Sequence, residues 1–261
     1  MTTSIMKRNK NNSYKAKAYG VISICFWLIL WQVLYRVLNN DIIIVSPMKV
    51  LKTLGDMIQT SEFYYQYGTT MGRMLLGLLL GGITGILIAC ISYHVEFIYY
   101  IVKPFVNIVK TTPVASFIIL ALIWVGSTYL SVLIAFLMVF PVVYTNVLEG
   151  LKQVNQGLLD MAQVFRMPIH KKICYIYIPS VYPYFLASCK VALGLSMKAG
   201  IAAEVIGIPN GSIGEQLYSA KLYLATEEVF AWTVVIIVSS IVLEACLLMG
   251  IKKLYGLLGG K

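Results

Sequence analysis

Charge is scarce in this chain. Of its 261 residues only 12% are Asp, Glu, Lys or Arg, against 59% hydrophobic residues and a mean hydropathy of +0.80. That composition excludes an ordinary water-soluble domain and points to a membrane protein. Acidic residues are the scarcer sign, 11 against 21 basic ones, for a net charge of +10. The basic residues fall between apolar blocks and form no patch or motif that would mark a nucleic-acid binder, so no nucleic-acid partner is expected. Cysteine is rare and odd in number: Cys25, Cys90, Cys174, Cys189 and Cys246 lack paired spacing, which excludes a disulfide framework and a zinc site. The two histidines, His94 and His170, lie far apart, so neither a metal centre nor a membrane-embedded catalytic cluster is expected. No Gly-x-x-x-x-Gly-Lys-Ser/Thr stretch occurs, and with it goes the backbone cradle that would hold a nucleotide; no cofactor is expected on this chain.

What the chain has is long apolar runs. After a basic head, MTTSIMKRNKNNSYKAKAYG, the first run extends from about 19 to 38, the length needed to cross a hydrocarbon core and longer than a cleavable signal. Further blocks at 68–93, 113–126, 128–148, 181–203 and 229–251 bring the expected number of spans to six. The fold class is therefore all-α and polytopic, with a tail at 1–18, a membrane domain at 19–252 and a second tail at 253–261. The third block is short, and is expected to continue backward through YIVKPFVNIVK as a broken helix.

Charge sets the orientation. With both termini cytoplasmic, the inner segments hold Lys7, Arg8, Lys10, Lys15, Lys17, Lys103, Lys110, Lys152, Arg166, Lys171, Lys172, Lys252, Lys253 and Lys261. The outer loops hold only Lys49, Lys52 and Lys221, an asymmetry that follows the positive-inside rule. Within the second span, Gly77, Gly81 and Gly85 repeat at four-residue intervals, a stripe that allows close helix packing either within one bundle or between two copies. Ionisable residues inside spans are costly and usually face a bundle interior or an aqueous cavity. Arg73, Lys198 and Glu204 are accordingly expected along a translocation path, the rival being that Lys198 pairs with Glu204 or snorkels outward; Glu244 is a further ionisable residue within a span.

The stretch LLDMAQVFRMPIHKKICYIYIPSVYP, from Leu158 to Pro183, breaks the pattern. Leu158, Met161, Ala162 and Phe165 fall at i, i+3, i+4 and i+7 on a helix too short to cross a membrane, expected at 157–168 and ended by Pro168. Its apolar face suits either the lipid surface or a cytoplasmic partner. The segment resembles the cytoplasmic signature loop of bacterial ABC importer permeases. In that loop Glu-Ala-Ala is followed by three residues, Gly, nine residues, and Ile-x-Leu-Pro. Here the positions read Asp160-Met161-Ala162, Arg166, and Ile176-Tyr177-Ile178-Pro179, with Arg166 in place of the glycine. TTMGRMLLG at 69–77, KTTPVASFIILALIWVG at 110–126, FPVVYTNVLEG at 140–150 and AAEVIGIPNGSIGEQL at 202–217 are similar to the nitrate, sulfonate and taurine branch of that family, while the first forty or so residues carry little of the likeness.

The resemblance implies a permease subunit in the bacterial inner membrane, with the short helix as a coupling helix between the fourth and fifth spans. Asp160, Met161, Ala162, Phe165, Arg166, Ile178 and Pro179 would meet a separate ATPase subunit, which holds ATP and Mg. The other implied partners are an extracytoplasmic solute-binding protein, a second copy of the chain and the lipid itself. An ion-gradient-driven secondary transporter is the alternative, and an integral-membrane enzyme a weaker one. A secondary transporter needs no docking helix and usually carries internal repeats, which are not found here.

Overall fold

The computed structural model describes residues 2–257, with side chains for 19–256; Lys7, Arg8, Lys10, Lys15, Lys17 and Lys261 of the expected tails lie outside the described side chains. Its elements are helical throughout, with no strand among the described residues. They are α1 (Thr2–Leu38), α2 (Pro47–Ile58), α3 (Ser61–His94), α4 (Glu96–Thr111), α5 (Val114–Lys152), α6 (Gln156–Val164), α7 (Ile169–Lys172), a π-helical turn (Ile173–Tyr177), α8 (Ile178–Gly207), α9 (Ile213–Leu222) and α10 (Thr226–Leu257). Five helical stretches among the described residues are long and apolar enough to cross a membrane: Tyr19–Leu38, Ser61–His94, Val114–Lys152, Ile169–Gly207 and Thr226–Gly256. In lipid a helix satisfies its own backbone hydrogen bonds, which is why so apolar a chain takes this form.

Two compact units form. The smaller comprises the chain up to residue 60 together with 219–232. Within it, Trp31 stacks on Phe230 at 5.5 Å and donates its indole N–H to the Val45 carbonyl at 3.0 Å. The Thr226 hydroxyl donates to the Ile42 carbonyl at 2.8 Å, and Ser46 caps α2 ahead of a proline at its first position. The apolar stretch of α1 buries none of its residues in the chain's own interior.

The larger unit is organised around the second half of α5, from Leu130 to Leu151, whose residues are almost all buried or half-buried. α3 approaches it through the glycine stripe. A Cβ on Gly77 would lie 2.6 Å from both the Ala135 Cβ and the Val132 carbonyl, one on Gly81 2.8 Å from the Val139 Cβ, and one on Gly85 3.1 Å from the Val143 Cβ. The stripe thus lies against α5 of the same chain. α4 runs back along α5: Tyr99 lies beneath the Lys152 ammonium at 4.9 Å, and Phe105 meets Phe140 at 6.0 Å. Val109 joins Ile134 and Met138 in one apolar cluster.

The boundary between the blocks 113–126 and 128–148 falls within α5 at Gly126, where two helical segments meet; its φ of 71° and ψ of 177° are open to glycine and strained for other residues. Ile118 and Ala121 before the break share an apolar cluster with Leu130 and Ile134 after it, so the chain folds sharply there. Lys103 and Lys110 lie on α4, the helical segment ahead of the break at Thr112–Pro113, and the Lys110 ammonium donates to the Thr145 hydroxyl at 3.1 Å. The helices α3, α8 and α10 also outrun the apolar blocks at their ends, because their flanking turns remain hydrogen-bonded where polar residues begin.

The glycine seam generates a controlled comparison. Gly81→Val should destabilise the purified protein by about 1–3 kcal/mol through overpacking. Gly82→Val, where an added Cβ meets nothing within 4 Å, should leave thermal unfolding close to wild type. Equal melting temperatures for the two variants would contradict the packing described.

Candidate functional site

The short helix α6 is built from local rules. Asn155 caps it, its side-chain oxygen accepting the Gly157 N–H at 2.8 Å. It ends at Val164, before the expected limit, because Arg166 takes the left-handed conformation with φ of 47°. The Arg166 N–H donates to the Gln163 carbonyl at 3.0 Å and the Met167 N–H to the Ala162 carbonyl at 2.8 Å, the paired bonds of a Schellman motif. Arg166 therefore occupies the backbone state for which a glycine is suited. Pro168 does not end α6; it precedes α7, which carries Lys171 and Lys172.

The residues expected to share one apolar face of α6 separate into two. Ala162 has no exposed surface and packs in a cluster with Val154 at the foot of α5 and Ile176 in the π-turn, bordered by Leu159, Met167 and Tyr177. Leu158, Met161 and Phe165 are exposed, Phe165 to 76%, and Val164 and Ile169 join them. Asp160 and Arg166 are exposed, while Ile178 and Pro179 are half-buried at the start of α8. The π-turn has a local cause: in a regular α-turn the Pro179 ring would meet the carbonyl four residues back, and widening the turn relieves that contact.

A second cluster lies at the far end of α8. Glu204 is fully buried. Its carboxylate accepts the Thr70 hydroxyl at 2.8 Å, the Arg73 guanidinium at 3.4 Å and the Gly214 N–H at 3.4 Å, while the Thr70 hydroxyl oxygen accepts the Ile213 N–H at 2.9 Å. Three elements, α3, α8 and the start of α9, are thereby tied to one carboxylate. A side chain at Gly214 would collide with Glu204. Ahead of α9 the chain turns at Gly211, φ of 66°, whose carbonyl accepts the Thr69 hydroxyl. Glu215 accepts the Gly211 N–H at 2.6 Å and Ser212 accepts the Glu215 N–H at 3.0 Å, a reciprocal cap close to a capping box.

Glu204 pairs with Arg73 inside the chain, and the pair satisfies a charge that burial would otherwise make costly. Lys198 does not pair with Glu204. It is exposed on α8, as is Lys190 eight residues earlier, a residue the sequence places in the same span but that was not among the expected path residues. The eight-residue spacing was the available signal. Thr70 and Gly214 were also missed: Thr70 is 134 positions from Glu204, and Gly214, ten positions away, contributes only its backbone N–H, which carries no side-chain signal.

Residues 77–252 match the family described as binding-protein-dependent transport system inner membrane component. The chain belongs to that family. It resembles a putative aliphatic sulfonates transport permease protein of Bacillus subtilis, 25% identical over 209 residues, 79% of this chain and 75% of that protein. A nitrate import permease protein of Synechococcus elongatus is 25% identical over 81% of this chain and 79% of its own length. The taurine transport system permease protein of Escherichia coli is 24% identical over 82% and 80%. Among solved structures, an amino acid ABC transporter crystallised with histidines shares the fold, with a TM-score of 0.54 and 16% identity across 82% of this chain and 97% of that one. The protein is thus a multi-pass permease subunit of an ABC importer, a transport component and not an enzyme. As such it works with a separate ATPase and a solute-binding protein.

Holding Arg166 in the left-handed state costs about 1 kcal/mol relative to glycine. Arg166→Gly should therefore raise the melting temperature of the purified importer while leaving α6 in place. A lower melting temperature would mean that the guanidinium makes a stabilising contact that outweighs the backbone cost.

Proposed function

We propose that two copies of this permease enclose a path for a small anion or zwitterion, that each copy crosses the membrane six times with both termini cytoplasmic, and that α6 receives the ATPase. α4 with the first half of α5 would form the third crossing, broken at Thr112–Pro113, and the remainder of α5 the fourth. With Lys103 and Lys110 counted in the third crossing, twelve basic residues on the cytoplasmic side against three on the outer side support the orientation. Leu158, Met161 and Phe165 supply the apolar contact, with Asp160 and Arg166 beside it, while Ala162 holds α6 to α5 and α8. On this reading Ile178 and Pro179 fix the start of α8 and do not touch the ATPase themselves.

The observation that carries the substrate class is the pair Lys190 and Lys198. α8 is 30 residues long, about 45 Å. Lys190 lies about 18 Å and Lys198 about 30 Å from its start, depths at which an exposed ammonium facing lipid would be strongly unfavourable. Their face therefore meets water or a second copy. Two cations there would attract an anionic group far more strongly than bulk water allows. Relatives named for sulfonate, nitrate and taurine transport agree with such a substrate.

Lys198→Met and Lys190→Met remove charge while keeping apolar bulk. Each should lower ATP-driven uptake of an anionic substrate about tenfold, the equivalent of ~1.4 kcal/mol, with assembly and basal ATP hydrolysis retained and Lys198→Arg recovering part of the loss. Normal uptake by both Met variants would reject the charged path.

A further inference from the structure

A groove of about 550 Å³ opens beside the π-turn, in the range of pockets that hold a whole small ligand. Three stretches of chain line it, and on each the lining runs from the end of the bundle inward. His94, Cys90 and Ile86 line it on α3; Leu151 and Val147 on α5; Lys172, Ile173, Tyr177, Val181 and Phe185 on α7, the π-turn and α8. Ile86 to His94 is eight residues, about 12 Å of helix. The lining is graded along that length. Lys172 and His94 stand at the helix ends, with the exposed His170 and Lys171 close by in sequence, and the inner part is Ile86, Val147, Val181 and Phe185. Glu96, the acidic residue nearest in sequence, is exposed and does not line the groove.

A cationic mouth over an apolar channel, at the end of a membrane bundle, matches one chemistry: a phosphate joined to a hydrocarbon chain. We propose that this groove binds an anionic phospholipid of the inner leaflet, its phosphate held by Lys172 and His94 and one acyl chain lying along Ile86, Val147 and Phe185. The choice of leaflet rests on the orientation given above. Clustered basic residues at the cytoplasmic ends of spans favour anionic lipids, and each buried methylene adds to the affinity. The site has a mechanical consequence. Tyr177 borders both the groove and the cluster around Ala162, so an occupied groove braces the π-turn through which α6 connects to α8.

Native mass spectrometry of the purified importer, exchanged into mixed phosphatidylglycerol and phosphatidylcholine, reads occupancy without reference to transport or coupling. The wild type should retain phosphatidylglycerol selectively. Lys172→Gln should reduce that retention about fivefold, which corresponds to ~1 kcal/mol per basic residue near a membrane surface. Lys171→Gln, outside the lining, should not. Val181→Trp, which fills the channel, should abolish retention in a complex that still elutes at its normal size. Equal retention across the variants would overturn the proposal, as would indifference between the two lipids. A photo-crosslinker at Cys90 that captured polypeptide and no lipid would do the same. Because lipid retention is measured directly, its failure leaves the assignment of α6 and of the charged path standing.

Discussion

The packing of Ala162 is the contact on which the rest of this permease depends. A methyl side chain with no exposed surface lets α6 settle between the foot of α5 and the π-turn that opens α8. Any larger residue would lift the helix away from both. With α6 so anchored, a push on its open face by the ATPase we propose docks there would move the ends of two membrane helices together. One of those is the helix around which α3, α4 and α8 are packed. Interiors of this density transmit displacement because they have little room to absorb it.

On the proposed docking at α6, α8 would carry that displacement the length of the bundle. It begins beside α6 and ends at Glu204, where one buried carboxylate holds α3, α8 and the start of α9. Both ends are thus fixed to their neighbours, one by apolar packing and the other by charge-assisted hydrogen bonds. Between them lies the exposed face that carries Lys190 and Lys198. The division follows from the solvent. In lipid an apolar contact can be made with almost any neighbour, whereas a carboxylate needs its partners in place.

Much of this was legible in sequence. The apolar blocks announced a helical membrane protein, the i, i+3, i+4, i+7 spacing from Leu158 to Phe165 located α6, and the family resemblance set Arg166 at a glycine position, where the structure has a left-handed residue. The limits of α6 were less legible, since Pro168 looked like a terminator when the Schellman turn at Arg166 had already stopped the helix. Periodicity grouped Ala162 with Leu158, Met161 and Phe165, but it cannot tell which edge of an apolar stripe the same chain covers. Gly126 was read as the end of a block. Its dihedral angles add that the chain folds back sharply between the two helical segments that meet there. The ties of Glu204 to Arg73 and Thr70 bridge more than 130 residues, and a single sequence holds no local signal for such a pairing.

The most direct test of the force path is contact at the open face of α6. A photo-crosslinking amino acid placed at Phe165, and separately at Tyr223 in the segment between α9 and α10, can be activated in the assembled importer. This account predicts a covalent product with the ATPase subunit from position 165, changing in yield between nucleotide-free and ATP-bound states, and none from position 223. An ATPase product absent at 165, or equally abundant at 223, would contradict it.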